Sequence, residues 1–302
     1  MNAPSPVPSG ALALVGEAAL RQRRVERTCL ERLQQQGYRE VLLPVLEYAT
    51  GASDGGYRFL DGDGRLLALR TDFTPLSARI LAPCLTSAPL PFSVCYSGEV
   101  LRPRPPRLRQ VAELYQLGFE RYGEPGAGGG ALATMLDLVS LAGVALPACR
   151  LTVGSVGLAD RVRAAAGGAS PAEQIREILQ VRDVDGLADI LDVRPSSRRA
   201  LQEALLGEPP EAWAGELGAE DAVAALHPLV EVAGRFGVPA AVDVAPRLSG
   251  PYYTGTVFSL WGPETRSVIA GGGEYQVIAG ESAVPAAGAC LALGMVLQEA
   301  PC

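Results

Sequence analysis

An α+β fold is predicted for these 302 residues: an antiparallel sheet flanked by helices, with a helical insertion. Three observations predict it. Short runs of strand composition separated by turn residues crowd the first 122 positions, and a second group follows residue 240. Between them, about 159–236, lies an alanine- and arginine-rich stretch broken by proline and glycine, with no convincing β-run. Strands, then helices, then strands again are read as one domain over 1–302 carrying an insertion. A chain of this length can bury a substantial core.

The elements follow in order. Over 12–36 the apolar residues Leu14, Ala18, Val25, Cys29 and Leu33 recur mostly every three or four positions, with arginine, glutamate and glutamine on the other face and Gly37 behind. That spacing predicts an amphipathic helix with a glycine C-cap. Strands are predicted at 40–44, 57–60 and 66–70, the last two joined as a hairpin by Asp61-Gly62-Asp63-Gly64. A helix is predicted over 71–81, then strands near 92–97 and 114–122. Glycines at 126–130 lead into an apolar helix over 131–144, where Met135 and Leu138 are expected in the core, and 151–154 reads as a strand. After the insertion come strands at 240–244, 253–260 and 266–269, then Gly271-Gly272-Gly273, then a final apolar helix ending near Leu297. No repeat of fixed period is present.

Composition narrows the chemistry. All 26 basic residues are arginine against 33 acids, for a net charge of −7. Without lysine there is no P-loop lysine, Schiff base or pyridoxal anchor. A single histidine, His227, excludes multi-histidine metal sites and disfavours a Ser-His or Cys-His pair; it lies in an apolar helical context and is read as structural. Neither a metal nor a cofactor is expected. The acidic balance argues against broad nucleic-acid binding. The six cysteines are scattered with no C-x-x-C pair, and the N-terminus has neither a basic nor an apolar leader segment, so reduced thiols in the cytoplasm are expected. The longest uncharged apolar run, 286–297, falls short of the roughly 20 residues of a membrane span.

Three stretches carry specific information. The first is Gly37-Tyr38-Arg39-Glu40-Val41-Leu42-Leu43-Pro44-Val45-Leu46-Glu47. The second comprises Leu69-Arg70-Thr71-Asp72-Phe73-Thr74, Tyr96-Ser97-Gly98-Glu99-Val100-Leu101-Arg102 and Gln116-Leu117-Gly118-Phe119-Glu120. The third is Tyr252-Tyr253-Thr254-Gly255-Thr256-Val257-Phe258 with Gly271-Gly272-Gly273-Glu274-Tyr275. Their order and spacing over nearly the whole chain resemble the core of histidyl-tRNA synthetases, class II enzymes built on an antiparallel sheet.

The resemblance implies a pocket for free histidine at Asp72, Thr74, Gln116, Glu120, Tyr252 and Tyr253; of these, only Asp72 departs from the family residue, a glutamate. Two carboxylates, an amide, a hydroxyl and two phenols suit a ligand bearing an ammonium and an imidazole, because a desolvated cation needs partners. The nucleotide side departs from the family. Arg102 matches a motif 2 arginine, but Arg104 stands where a glutamate engages ATP. Leu297 is aligned with the ATP-binding arginine of motif 3, and Leu248 with the catalytic arginine before the tyrosine pair; Arg247 lies one residue off. Glu274 stands where the family has a further arginine. Each lost donor of this kind costs on the order of 2.7–4 kcal/mol of transition-state stabilisation.

The anticodon-binding domain of those synthetases has no counterpart in these residues, so tRNA is not an expected partner. The combination resembles the family of ATP phosphoribosyltransferase regulatory subunits, synthetase paralogues without aminoacylation activity. That resemblance implies a short-form catalytic subunit as partner, feedback inhibition by histidine in the first step of histidine biosynthesis, and a hetero-octamer. The second reading is a truncated synthetase-like enzyme that activates histidine or another amino acid with ATP, which pyrophosphate exchange would reveal; a third is a scaffold with a dead pocket. Arg102, Arg104, Arg107 and Arg109 crowd one segment and are candidate contacts to phosphate or to the partner, or a solvated loop. Pro44 matches the segment that forms the class II dimer interface, so a homodimer is expected within any larger assembly.

Overall fold

The computed structural model describes residues 7, 10, 11, 13–49, 56–102, 113–165, 195–246 and 252–300. An eight-stranded sheet runs in the order β1-β5-β6-β11-β10-β9-β7-β8, from β1 (Arg39–Glu40), β5 (Phe92–Leu101), β6 (Glu113–Tyr122), β11 (Ser282–Ala292), β10 (Val268–Ala279) and β9 (Tyr253–Trp261) to β7 (Arg150–Ser155) and β8 (Ala240–Val242). Its six central strands are antiparallel, whereas β1 pairs with β5 and β8 with β7 in parallel. The predicted strand at 40–44 thus shrinks to two residues, because the chain leaves β5 after Val41, whose amide N–H still donates to Cys95 O (2.9 Å).

The hairpin forms as expected around Asp61, whose side chain accepts the amide N–H groups of Asp63 and Arg65, with Gly64 at φ 77°. Its strands β3 (Arg58–Leu60) and β4 (Leu66–Leu69) do not join the main sheet, however. They form a separate three-stranded sheet with β2 (Leu46–Tyr48), in the order β2-β4-β3.

α1 (Glu17–Gln35) ends as predicted. Gly37, at φ 88°, donates to Gln34 O, and Tyr38 donates to Leu33 O, closing the helix end. Its inner face is Gln22, Glu26, Cys29 and Leu33, while Ala18 is exposed. α2 (Phe73–Leu85) starts at Asp72, and α3 (Gly128–Leu141) at the glycine joint. α4 (Val156–Ala165), α5 (Pro195–Leu206), α6 (Glu220–Ala224) and α7 (His227–Arg235) belong to the insertion, of which 166–194 lie outside the described residues. His227 is exposed in the first turn of α7.

The end of the chain corrects the expectation most. The triple glycine is no break: β10 runs through it, and 282–292 is strand β11, so only α8 (Leu293–Glu299) is helical. An apolar run of alanine and glycine reads equally as buried helix or buried strand. Here β11 is paired on both sides, and small residues are required by the crowding. A Cβ on Gly272 would lie 2.1 Å from Gly288 O, and one on Gly273 2.5 Å from Thr256 O.

One face of the sheet carries the main core, where Leu33 of α1, Met135 and Leu138 of α3, and Leu201, Trp213 and Val232 of the insertion meet Leu117, Phe119 and Leu260. The insertion shares this core. The other face holds α2 over Val94, Tyr122, Tyr275 and Val277. Alternation along β6 assigns the faces: Leu117 and Phe119 enter the core, and Gln116, Gly118, Glu120 and Tyr122 face the other way. No described helix is long and apolar enough to cross a membrane.

Candidate functional site

A cavity of about 610 Å³ opens on that second face. Glu120 lies at its floor, 1% exposed, between β5 and β11. Oε1 accepts hydrogen bonds from Thr74 Oγ1 (2.6 Å) and Tyr96 OH (2.7 Å), and Oε2 accepts one from Tyr275 OH (2.8 Å). Burial pushes its carboxyl up to about 7 against the pull of those three hydroxyls, and nearby Asp72 raises it further. Gly288 makes room for it, since a Cβ there would lie 1.7 Å from Oε2.

Asp72 does two jobs. Oδ1 caps α2 by accepting the Thr74 amide N–H (3.2 Å), and Oδ2 accepts Tyr252 OH (3.1 Å) with Arg102 Nη2 3.9 Å away. Burial raises its pKa, and Arg102 offsets part of that rise. Arg102 is itself fixed by donating from Nε to Thr71 O (2.8 Å). Gln116 is 4% exposed, and its Oε1 has no hydrogen-bond partner among the described residues. An unpartnered buried acceptor on a cavity wall costs about 1–3 kcal/mol, which a ligand donor would recover. Tyr252 packs against Tyr253 (4.6 Å between ring centres) and edge-on to Tyr275 (5.8 Å). Cys290 completes the wall, its thiol pushed up to about 12 by burial and then by Asp72.

Among the described residues that line the cavity, the ionisable acids are Asp72, Glu120 and Asp243, and the cation is Arg102. The far end is walled by Thr152, Gly154, Ser259, Gly271, Ala292 and Met295. Such a site favours a ligand with positive charge or several N–H donors at one end and an anion at Arg102. Among the described residues no cluster of three or more histidine, cysteine, aspartate or glutamate side chains could hold a metal.

Comparison with known proteins places this geometry. The histidyl-tRNA synthetase family profile matches residues 13–296. The ATP phosphoribosyltransferase regulatory subunit of Moorella thermoacetica is 30% identical over 97% of this chain and 81% of its own length. That of an Azoarcus species is 33% identical, over 96% and 80%. The chain belongs to the family of ATP phosphoribosyltransferase regulatory subunits. Its fold is also that of a Bacillus halodurans structure described as an ATP phosphoribosyltransferase regulatory subunit/histidyl-tRNA synthetase, with a TM-score of 0.82, 24% identity, and coverage of 99% of this chain and 84% of the other.

In this regulatory-subunit fold, all six residues that the sequence resemblance places in a histidine pocket line one cavity, and so does Arg102. Arg104, Arg107 and Arg109 lie outside the described residues, as do Arg247 and Leu248. In α8, Met295 lines the cavity and Leu297 is half-buried outside its lining. Glu274 faces the α3 side. It accepts the Gly128 amide N–H at 3.0 Å and the Thr256 amide and hydroxyl at 3.0 and 2.8 Å, a structural tie between β9, β10 and α3.

The sequence reading missed Tyr96, Tyr275, Gly288 and Cys290. Tyr275 stands in the quoted Gly-Gly-Gly-Glu-Tyr stretch and had a signal in strand parity, once 268–279 is read as a strand. Tyr96 had none, because an aromatic in a strand reads as core. Gly118 allows its reach: a Cβ there would lie 2.6 Å from the Tyr96 ring.

Proposed function

We propose that this regulatory subunit acts with a short-form ATP phosphoribosyltransferase catalytic subunit and senses free histidine in the Glu120 cavity. The observation that carries the reading is the pairing of buried Glu120 and half-buried Asp72 with Gln116 Oε1, which has no partner among the described residues, opposite Arg102. Histidine supplies an ammonium and imidazole N–H groups for Asp72, Glu120 and Gln116, aromatic walls at Tyr252 and Tyr253, and a carboxylate for Arg102. The names of the relatives support the regulatory role and the catalytic partner. A cytoplasmic setting fits a biosynthetic subunit, and tRNA is not a partner in this reading.

Calorimetric titration with histidine tests the pocket, on the isolated chain and on the complex. Tyr253→Phe is expected to weaken binding about tenfold, the worth of one hydrogen bond. Binding that neither Tyr253→Phe nor Glu120→Gln affects, or no binding at all, rejects the pocket. Activation of histidine with ATP would need more than the one cation that lines the cavity among the described residues, so pyrophosphate exchange is expected to stay at background; robust exchange would restore the enzyme reading.

The small sheet supplies the surface for a homodimer within the larger complex. Leu42 is 89% exposed and Tyr48 60%, with Val45, Leu46 and Phe59 also exposed beside Pro44, and Leu46, Tyr48 and Phe59 share one face of the sheet. Large apolar side chains gathered this way mark an association face. Replacing Leu42 and Leu46 together by aspartate should shift the chain from dimer to monomer in sedimentation equilibrium without lowering its melting temperature; an unchanged dimer places the interface elsewhere.

A further inference from the structure

Arg70, at the end of β4, is a buried cation that the cavity does not use. It is 3% exposed, and its described hydrogen bonds all go to backbone carbonyls: Nε to Glu99 O (2.6 Å), Nη1 to Leu43 O (2.7 Å) and Pro44 O (3.2 Å). Its amide N–H donates to Val45 O (2.9 Å). A guanidinium removed from water and met by neutral dipoles is costly, so packing of this kind holds one position closely. The room is made by Gly98, where a Cβ would lie 2.6 Å from Nη2.

The other side of the guanidinium lies over the Phe73 ring, 4.1 Å from its centre. Phe73 stacks on Tyr96 at 4.4 Å with 16° between planes, and Tyr96 OH donates to Glu120. Phe73 and Tyr96 are each 1% exposed. A continuous buried stack therefore runs from the cavity acid to the carbonyls of 43–44, the segment flanked by exposed Leu42 and Val45. A second tie runs parallel: Thr74 at the start of α2 donates to Glu120, and Arg79 further along α2 pairs with Glu47 on β2.

We propose that Arg70 is a positioning residue that couples the two faces, linking ligand binding at Glu120 to association of a second copy at the Leu42–Leu46 ledge through the stack Tyr96–Phe73–Arg70. The inference rests on the histidine and dimer readings above. A ligand donor recruited by Glu120 competes with Tyr96 OH for Oε1 and shifts the ring below it. Planar groups in contact cannot absorb that shift separately, so the guanidinium and its carbonyls move with them. By linkage, dimerisation alters histidine affinity by the same factor.

The test uses the full chain. Dimer dissociation constants are measured by fluorescence-detected sedimentation with and without saturating histidine. The wild type is expected to show a ratio of about 5-fold or more. Phe73→Leu removes the stacking planes but keeps an apolar side chain, and should bring the ratio near 1 while histidine still binds and the dimer still forms. Arg70→Lys, which keeps a cation but not the fork, should retain part of it. A ratio near 1 in the wild type, or an undiminished ratio in Phe73→Leu, overturns the coupling. Should Phe73→Leu fail to fold, hydrogen exchange on the wild type decides: histidine should change protection of the Arg70 and Val41 amides, and no change overturns the proposal. Absence of histidine binding at any protein concentration faults the pocket reading instead.

Discussion

Replacing Gly288 with alanine is expected to abolish ligand binding at the cavity and to lower the melting temperature by several degrees. The added methyl would lie 1.7 Å from Glu120 Oε2 and 2.5 Å from Phe119 O, so something must move. If the carboxylate swings aside it gives up Tyr275 OH and leaves buried groups unpaired; if the strands part, β11 loses its pairing with β6. Overpacking of this kind costs about 1–3 kcal/mol before the lost hydrogen bonds are counted. Gly130→Ala is the control. It sits near the start of α3 with nothing within 4 Å of its new methyl, and alanine there should stabilise the helix by up to about 1 kcal/mol. Thermal melts and histidine titrations of the two variants check both halves. A Gly288→Ala protein that binds like the wild type would mean that the floor of the cavity is not as described.

Glu120→Gln is expected to weaken histidine binding about 10- to 100-fold at pH 8 and to change its pH dependence between 5 and 8, leaving the part that comes from the ligand's own imidazole, which titrates at about 6.5. The folded carboxyl titrates near 7, whereas the unfolded chain has its ordinary value of 4.5. Between those values the folded state holds a proton that the unfolded state has released. This group's contribution to stability is therefore fully present below pH 4.5 and is lost as pH rises to 7, on the order of 3 kcal/mol at most. The glutamine variant lacks this term, so the wild type should lose stability relative to it as pH rises through that window. Binding runs the other way. The ligand's ammonium recruits the ionised carboxylate, so binding at pH 6 should release more protons from the wild type than from the variant, where the ligand's imidazole still titrates. Calorimetry in buffers of different ionisation enthalpy measures that release. Equal pH profiles for wild type and variant would show that Glu120 does not face the ligand.

Much of the site was legible because it sits on regular strands. On β6 the period of two separates Leu117 and Phe119 from Gln116 and Glu120, and an acid placed among strand apolars stands out in the sequence. The α1 terminus and the Asp61 turn were legible for the same reason, since local chemistry fixes them. What escaped depends on partners distant in sequence. The strand at 282–292 is alanine-rich because β10, α2 and α3 crowd it, and nothing local separates that from a buried helix. β2 and the hairpin form a sheet of their own because the main sheet takes β5 beside β1, which no local pattern announces. Tyr96 and Arg70 read as ordinary core and motif residues until the stack that joins them to Glu120 is seen.

Inhibition of the catalytic subunit by histidine is proposed to run through this cavity. It is tested most directly by measuring phosphoribosyltransferase activity of a short-form catalytic subunit reconstituted with this chain, over a histidine titration, with wild type and with Glu120→Gln. The account predicts that activity requires the chain in both cases, that histidine inhibits the wild-type complex, and that the variant complex needs at least about 10-fold more histidine for the same inhibition. Activity that is independent of the chain, or identical inhibition curves for the two complexes, would contradict it.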